Sequence, residues 1–161
     1  MPWRFPVEYH AVMDAIDRRI IAELAADGRI SATKLAERIP LSLSATAERL
    51  RRLTDGGVVR RITVELDPAA VGRTIDALVD VRLGAGVEKT EADDIVRGIS
   101  TVVDAVHVTG RFDYQLRVAA RDVQDLDEVL TQLRRELRAE ETNTRLVLRT
   151  LDELPRIAPL D

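Results

Sequence analysis

The stretch from Ile30 to Val59, ISATKLAERIPLSLSATAERLRRLTDGGVV, constrains this chain more than any other. It reads as two short helices joined by a tight turn. Ser31 is a good N-cap, because its hydroxyl satisfies an orphan N–H at the helix start, and Ile30 ahead of it is placed to staple onto Leu35. Leu35 and Ile39 share one face of that helix. Pro40 stops it, since it lacks an N–H and restricts Ile39. Ser42 caps a second helix, which turns Thr46, Leu50 and Leu53 inward at i, i+4, i+7 spacing. Gly56-Gly57 ends that helix. Two helices with so short a turn make a helix-turn-helix. The second helix presents Leu43, Ser44, Ala47, Glu48, Arg51 and Arg52 outward: short side chains that suit a groove, then cations for phosphates. A plain helical hairpin gives the same spacing, and charge separates the two. Between Arg49 and Arg61 five arginines accompany one acid, Asp55, whereas a solvated face mixes signs.

The helix-turn-helix has company on both sides. Asp14 to Ala26 reads as a helix, with Asp14 as cap, Asp17 three residues on, and Ile16, Ile20 and Leu24 as the buried stripe. Val58 to Leu66 changes to period two, with Ile62, Val64 and Leu66 on one side, and reads as the strand of a wing or linker. Asp67-Pro68 breaks it. Residues 1–12 hold two prolines, no helical period, and three of the five aromatics of the chain (Trp3, Phe5, Tyr9). They read as an extension, either structureless or an arm that packs on a partner or on DNA.

The second half alternates strand and helix. Thr74 to Leu83 is a strand. Thr90 caps a short helix with Ile95, Val96 and Ile99 buried, and Asp93 closes a box-like pair. Val102–Thr109 and Tyr114–Ala120 are strands joined as a hairpin through Gly110-Arg111-Phe112-Asp113. Asp122 caps the longest helix, which buries Leu126, Val129, Leu130, Leu133 and Leu137. Thr144 to Leu151 is the last strand. The order β-α-β-β-α-β is the split ferredoxin-like arrangement, so the fold class is α+β. Two helices cover one face of such a sheet, and a second copy of the chain is the simplest cover for the other. The domains expected are an extension (1–12), a winged helix-turn-helix (13–66), a linker (67–73), an αβ sandwich (74–151) and a tail (152–161).

Charge agrees with this division. The net charge of −4 argues against a polyanion partner, but residues 1–66 carry +2 and the remainder −6, so only the first half is suited to DNA. The absence of cysteine removes disulfides, thiolate metal sites and a cysteine nucleophile. No apolar run approaches a membrane span, and residues 1–12 lack the apolar core of a secretory signal, so a cytoplasmic, nucleoid-associated location without membrane contact is expected. Neither His10 nor His107 has a metal-ligand partner at useful spacing. Gly84-Ala85-Gly86 lacks the rest of a phosphate-loop fingerprint and reads as a connection. No catalytic, metal or cofactor residue is expected.

At this point the sequence resembles the Lrp/AsnC family of bacterial and archaeal transcription regulators, over roughly residues 13–151. The likeness rests on Met13-Asp14-Ala15-Ile16-Asp17-Arg18-Arg19-Ile20-Ile21, Asp27-Gly28-Arg29-Ile30-Ser31, Leu35-Ala36, Leu41-Ser42, Arg49-Leu50 with Leu53, Gly57-Val58-Val59, Leu66-Asp67-Pro68 with Gly72, and Val108-Thr109-Gly110-Arg111-Phe112-Asp113-Tyr114, which looks like the family's Gly-x-x-Asp loop. The resemblance implies a DNA-binding regulator that dimerises through its second domain, often builds octamers or other higher forms, and senses an amino acid or related metabolite near that loop. Three departures stand out: Pro40 in place of the usual turn glycine, Thr46 where an aliphatic residue is common, and Glu48 on the reading face.

Ser42, Leu43, Ser44, Ala47, Glu48, Arg51 and Arg52 are the DNA-facing candidates, and Arg60 and Arg61 are candidate phosphate contacts. Serine donates or accepts at several bases, Ala47 or Leu43 suits a thymine methyl, and Glu48 accepts from cytosine N4. The alternative for Glu48 is a helix pair with Arg52 that reads nothing. Gly110, Arg111, Phe112, Asp113 and Tyr114 are the effector candidates, with Thr142 and Asn143 reaching the site from a neighbour. Backbone N–H groups at Gly110 would meet a ligand carboxylate and Asp113 its ammonium group. The alternative is a hairpin turn with a capping aspartate and core aromatics. Two rival functions remain on this architecture. One is a sirohaem decarboxylase-like enzyme, against which stand two histidines in all and arginines clustered on the DNA side. The other is an assembly protein without DNA binding.

Overall fold

The computed structural model describes residues 13–151. The expected extension at 1–12 and tail at 152–161 lie outside the described residues. The chain divides into two compact units that part between Glu65 and Leu66.

The first unit holds three helices, α1 (Ala15–Ala26), α2 (Ala32–Arg38) and α3 (Leu43–Asp55). Each begins on the cap the sequence supplies. Asp14 Oδ1 accepts from the backbone N–H of Ile16 and of Asp17 at 2.9 Å, and Asp17 closes the capping box. Ser31 Oγ accepts from Lys34 N at 3.3 Å, and Ser42 Oγ from Ala45 N at 3.2 Å. These bonds satisfy donors that a helix start leaves orphaned. Ile20, Ile30, Leu35, Ile39 and Leu53 form the core, with Leu50 packed against it half-buried. Thr46 is wholly buried, and its hydroxyl has no hydrogen-bond partner among the described residues.

The strand expected over Val58–Leu66 does not form; no strand occurs among the described residues before Ile75. Ile62, Val64 and Leu66 are 59%, 74% and 62% exposed. The period-two pattern is present, but a strand needs a ladder partner, and the three helices of this unit offer none.

The second unit is β1 (Ile75–Arg82), α4 (Lys89–Gly98), β2 (Val102–His107), β3 (Tyr114–Ala120), α5 (Val123–Glu136) and β4 (Glu141–Leu146). The sheet order is β2-β3-β1-β4, and all neighbours are antiparallel. This is the ferredoxin-like order that β-α-β-β-α-β implies. Alternation in β1 and β3 points Ala77, Val79, Val81, Leu116, Val118 and Ala120 at the helices, where Ala92 and Val96 of α4 and Leu126, Val129, Leu130 and Leu133 of α5 meet them. The opposite face carries an ion ladder. Arg117 Nη2 donates to Asp76 Oδ2 at 2.6 Å, and Asp80 accepts from Gln115, Asn143 and Arg145.

Element limits differ from expectation: β1 is one residue shorter at each end, β2 ends at His107 and not Thr109, and α4 and β4 are displaced. α4 starts at Lys89 with Glu88 as N-cap and no side-chain capping bond, so Thr90 lies inside the helix, and the Asp93 carboxylate serves another residue. β4 spans Glu141–Leu146 instead of Thr144–Leu151, because pairing starts where the chain leaves α5: Glu140 N donates to Arg82 O at 3.0 Å. That early start needs a close crossing. Gly84 lies so near Arg138 that a Cβ there would overlap the Arg138 carbonyl oxygen. The glycine that looked like a remnant of a phosphate loop is a packing requirement.

Candidate DNA-reading face and effector loop

The Ser42 cap sets where α3 begins and therefore which side chains it shows. Leu43, Ser44, Ala47, Glu48, Arg51 and Arg52 are all exposed, while Thr46 and Leu53 face the core. Ser44, Ala47, Glu48 and Arg51 fall at i, i+3, i+4 and i+7, which is one stripe of a helix. The structure thus brings the predicted reading residues together on one surface. Ser42 Oγ and Ser44 Oγ lie 3.1 Å apart, so this end carries a small hydroxyl pair beside the Leu43 side chain.

The cations are arranged differently from the expectation. Glu48 pairs with Arg51, not with Arg52: Arg51 Nη2 donates to Glu48 Oε1 at 2.7 Å and Nε to Oε2 at 3.2 Å, while Nη1 donates to Asp55 Oδ2 at 2.9 Å. Arg52 reaches the other way, to α1, where its Nη2 donates to Asp17 Oδ2 at 3.1 Å. Arg49 Nη1 donates to Asp17 Oδ1 at 2.9 Å and to Asp14 Oδ2 at 2.6 Å. Asp17 is the residue that sequence reasoning undervalued. It was visible as a capping partner, yet it is 1% exposed and receives two arginines from α3. The sequence signal was an acid on the inner side of α1 together with an arginine run one helix-turn-helix later. Hydrogen bonding to the Asp17 backbone N–H, then to Arg49, lowers the Asp14 pKa. Arg60 and Arg61 are exposed, as is Lys34 on α2, and none has a salt bridge among the described residues.

The Gly110–Tyr114 loop joins β2 to β3. Gly110 has φ 114°, a conformation that a side chain would strain. Asp113 is built into the fold: its Oδ2 accepts from Leu83 N at 2.8 Å, its N–H donates to Val81 O at 2.9 Å, and its carbonyl accepts from Val108 N at 3.0 Å. It fastens the hairpin to the end of β1. Tyr114 is 2% exposed, and its hydroxyl donates to Asp93 Oδ1 at 2.7 Å. Burial, then the hydrogen bond to Asp93, pushes that hydroxyl above the ordinary tyrosine range. For these two residues the structure has the capping aspartate and core aromatic of the alternative reading. The half-buried Phe112 and the exposed Arg111 remain at the loop surface, with the guanidinium carbon 5.6 Å from the ring centroid. Arg111 also pairs with Glu141, to which Nε donates at 3.2 Å. Within one chain the loop therefore meets β4 through Glu141. Thr142 instead accepts from Arg134, and Asn143 donates to Asp80.

Comparison with known proteins decides the family. A model of the winged helix-turn-helix DNA-binding domain matches residues 13–60, and a model of the Lrp/AsnC ligand binding domain matches residues 76–157, half of the chain. The chain belongs to the Lrp/AsnC family of transcriptional regulators. It is 36% identical to the HTH-type transcriptional regulator AldR of Mycolicibacterium smegmatis over 122 residues, 74% of this chain and 71% of that protein. The crystal structure of the leucine response regulatory protein LrpA of Mycobacterium tuberculosis superposes with a TM-score of 0.81 at 30% identity, covering 92% of this chain and all of that one. A feast or famine regulatory protein of M. tuberculosis, complexed with L-methionine, matches with a TM-score of 0.81 at 32% identity, over 88% of this chain and 97% of its own. The family read from sequence motifs, and the α+β fold it implied, both hold. In this Lrp/AsnC chain no helix among the described residues is long and apolar enough to cross a membrane.

Proposed function

We propose that this Lrp/AsnC regulator binds operator DNA through the exposed face of α3 and responds to an amino acid held near the Gly110–Asp113 loop. The observation that carries the first part is the face itself. Ser44, Ala47 and Glu48 lie on one exposed stripe near the capped start of α3, beside the exposed Ser42 and Leu43, so the groove-facing surface begins with small side chains. Short side chains let a helix enter the major groove, where serine hydroxyls bond base edges, Leu43 or Ala47 touches a thymine methyl, and Glu48 accepts from cytosine N4. Lys34, Arg60 and Arg61 supply phosphate contacts. Arg52, held by Asp17, presents its remaining N–H groups as a fixed donor. The L-methionine complex of the M. tuberculosis relative supports an amino acid as effector. At the loop, the Gly110 backbone and Arg111 are the groups suited to a carboxylate, and Phe112 suits an apolar side chain.

The chain acts as a homodimer or higher form in the cytoplasm, as a binding protein and not an enzyme. A twofold assembly reads a roughly palindromic operator with half-sites about one helical turn apart or a multiple of it. Effector binding shifts the geometry of the DNA-binding units, which couples two sites and is therefore reciprocal. The test is a titration of L-methionine, and then of the other amino acids, into protein bound to a duplex enriched from a randomised pool. At least one amino acid should shift the DNA affinity about 5-fold or more, and DNA should shift the affinity for that amino acid by the same factor. No shift with any amino acid, while DNA binding persists, would reject the effector reading and leave the DNA reading standing.

A further inference from the structure

The reading face of α3 carries a closed set of charges that neither capping nor packing requires. Arg51 is bracketed by Glu48 three residues before and Asp55 four residues after, and every nitrogen of its guanidinium is engaged. All three side chains stand in water, at 64%, 64% and 62% exposure. The hydrogen bond with Arg51 holds Glu48 below its ordinary pKa, and the same bond raises that of Arg51. One pairing would suffice to support the helix at this position. Two acids around one cation leave the set net negative, on a surface that approaches a polyanion.

The consequence follows from competition. A phosphate that takes Arg51 must displace a carboxylate, and the displaced carboxylate then faces the phosphate backbone with no partner. Exposed ion pairs exchange readily, so the set does not block binding; it taxes it. The tax falls on every duplex alike, because phosphates carry no sequence. Glu48, however, lies on the groove stripe with Ser44 and Ala47, where a base-edge donor such as cytosine N4–H gives its carboxylate a new partner. Only a duplex with such a donor in place removes the penalty.

We propose that Glu48 and Asp55 are specificity-determining residues that suppress sequence-independent DNA binding by occupying Arg51, and that Glu48 is released by a base donor in the operator. This rests on the DNA-reading role of α3 and adds to it the means of discrimination.

The test uses the full chain and its Glu48→Gln, Asp55→Asn, Arg51→Ala and Glu48→Gln/Arg51→Ala variants. Two probes are used: a random-sequence duplex, and a duplex enriched from a randomised pool by the wild-type protein. Affinity is measured by fluorescence anisotropy across salt. Glu48→Gln and Asp55→Asn should each bind the random duplex about 3- to 10-fold more tightly, with the log–log salt slope steeper by about one, the increment for one further phosphate contact. Glu48→Gln should gain nothing on the enriched duplex, so that its preference falls by the same factor, about 3- to 10-fold. In the Arg51→Ala background Glu48→Gln should no longer steepen the salt slope, because no cation is freed to add a phosphate contact. Circular dichroism melting curves confirm that the exposed substitutions leave the fold intact. The proposal is overturned if both acid variants change random-duplex affinity less than 2-fold or weaken it, if the steeper salt slope survives without Arg51, or if Glu48→Gln tightens both duplexes equally. Enrichment of no sequence by a protein that binds random DNA also overturns it. A wild-type protein that binds neither duplex at about 50 mM salt rejects the DNA-reading role instead.

Discussion

Replacing Asp17 with asparagine removes one charge from the centre of the helical unit and little volume. The wild-type carboxylate accepts from Arg49 at 2.9 Å and from Arg52 at 3.1 and 3.2 Å, and it is 1% exposed. Hydrogen bonds to a charged group contribute about 1.5–3 kcal/mol each. Both arginines retain contact with water, so they recover part of that on release, and the net loss is about 2 kcal/mol. Asparagine keeps one acceptor oxygen, but its NH2 group faces guanidinium donors that it cannot satisfy. The loss falls on the junction of α1 and α3. It should appear as faster local opening there, about 30-fold for 2 kcal/mol. Hydrogen exchange of the full chain reads this directly: amides of Ile20–Glu23 and Leu50–Leu53 should accelerate by about that factor, and those of Val129–Leu133 in α5 should not. Acceleration of less than about 3-fold at α1 and α3 would refute the view that Asp17 ties the two helices together.

Three further outcomes follow from the same structure. Thr46→Val replaces a buried hydroxyl that has no partner with a methyl of the same shape, and should slow opening of α3 by an amount equivalent to about 1 kcal/mol in the same exchange experiment. Gly84→Ala should destabilise the αβ unit by about 1–3 kcal/mol, measured by urea unfolding, because its Cβ meets the Arg138 backbone and not a flexible side chain. The hydrogen bonds from the side chain and backbone of Arg121 hold Asp125 down at a pKa of about 2 against an ordinary 3.8. A carboxylate depressed in this way adds stability that is complete above the unfolded pKa and is lost as pH falls toward the folded one, so Asp125→Asn should flatten the fall in melting temperature between about pH 4 and pH 2 while lowering it at pH 7.

What the sequence revealed and what it hid divide along physical lines. Caps and helical periods are local, and Asp14, Ser31, Ser42 and Asp122 all cap the helices assigned to them. The stripe of α5 is also local, and Leu126, Val129, Leu130, Leu133 and Leu137 are all buried. β4 starts three residues before the expected Thr144 because an edge strand accommodates the polar Glu141-Thr142-Asn143 when its neighbour supplies partners, here Asp80 for Asn143. The strand expected at Val58–Leu66 shows the converse, a strand pattern without a neighbour to pair with. Ionic partners are the least legible. Arg52 had Glu48 at hand four residues away, yet it crosses to Asp17, and Asp113 and Tyr114 turn inward to Leu83 and Asp93. Those choices depend on what the fold brings within reach, which no spacing rule contains.

The central claim is that α3 reads DNA. Ala47 lies on the exposed stripe between Ser44 and Glu48, and glutamate there keeps the helix while placing a second acid in the groove. The decisive measurement is the affinity of wild type and Ala47→Glu for a duplex enriched by the wild-type protein, relative to random DNA, at equal salt. The wild type should prefer the enriched duplex by about 1,000-fold or more, and Ala47→Glu should lose most of that preference with unchanged helicity. A wild type without preference, or an Ala47→Glu protein that binds the enriched duplex within 2-fold of wild type, would contradict it.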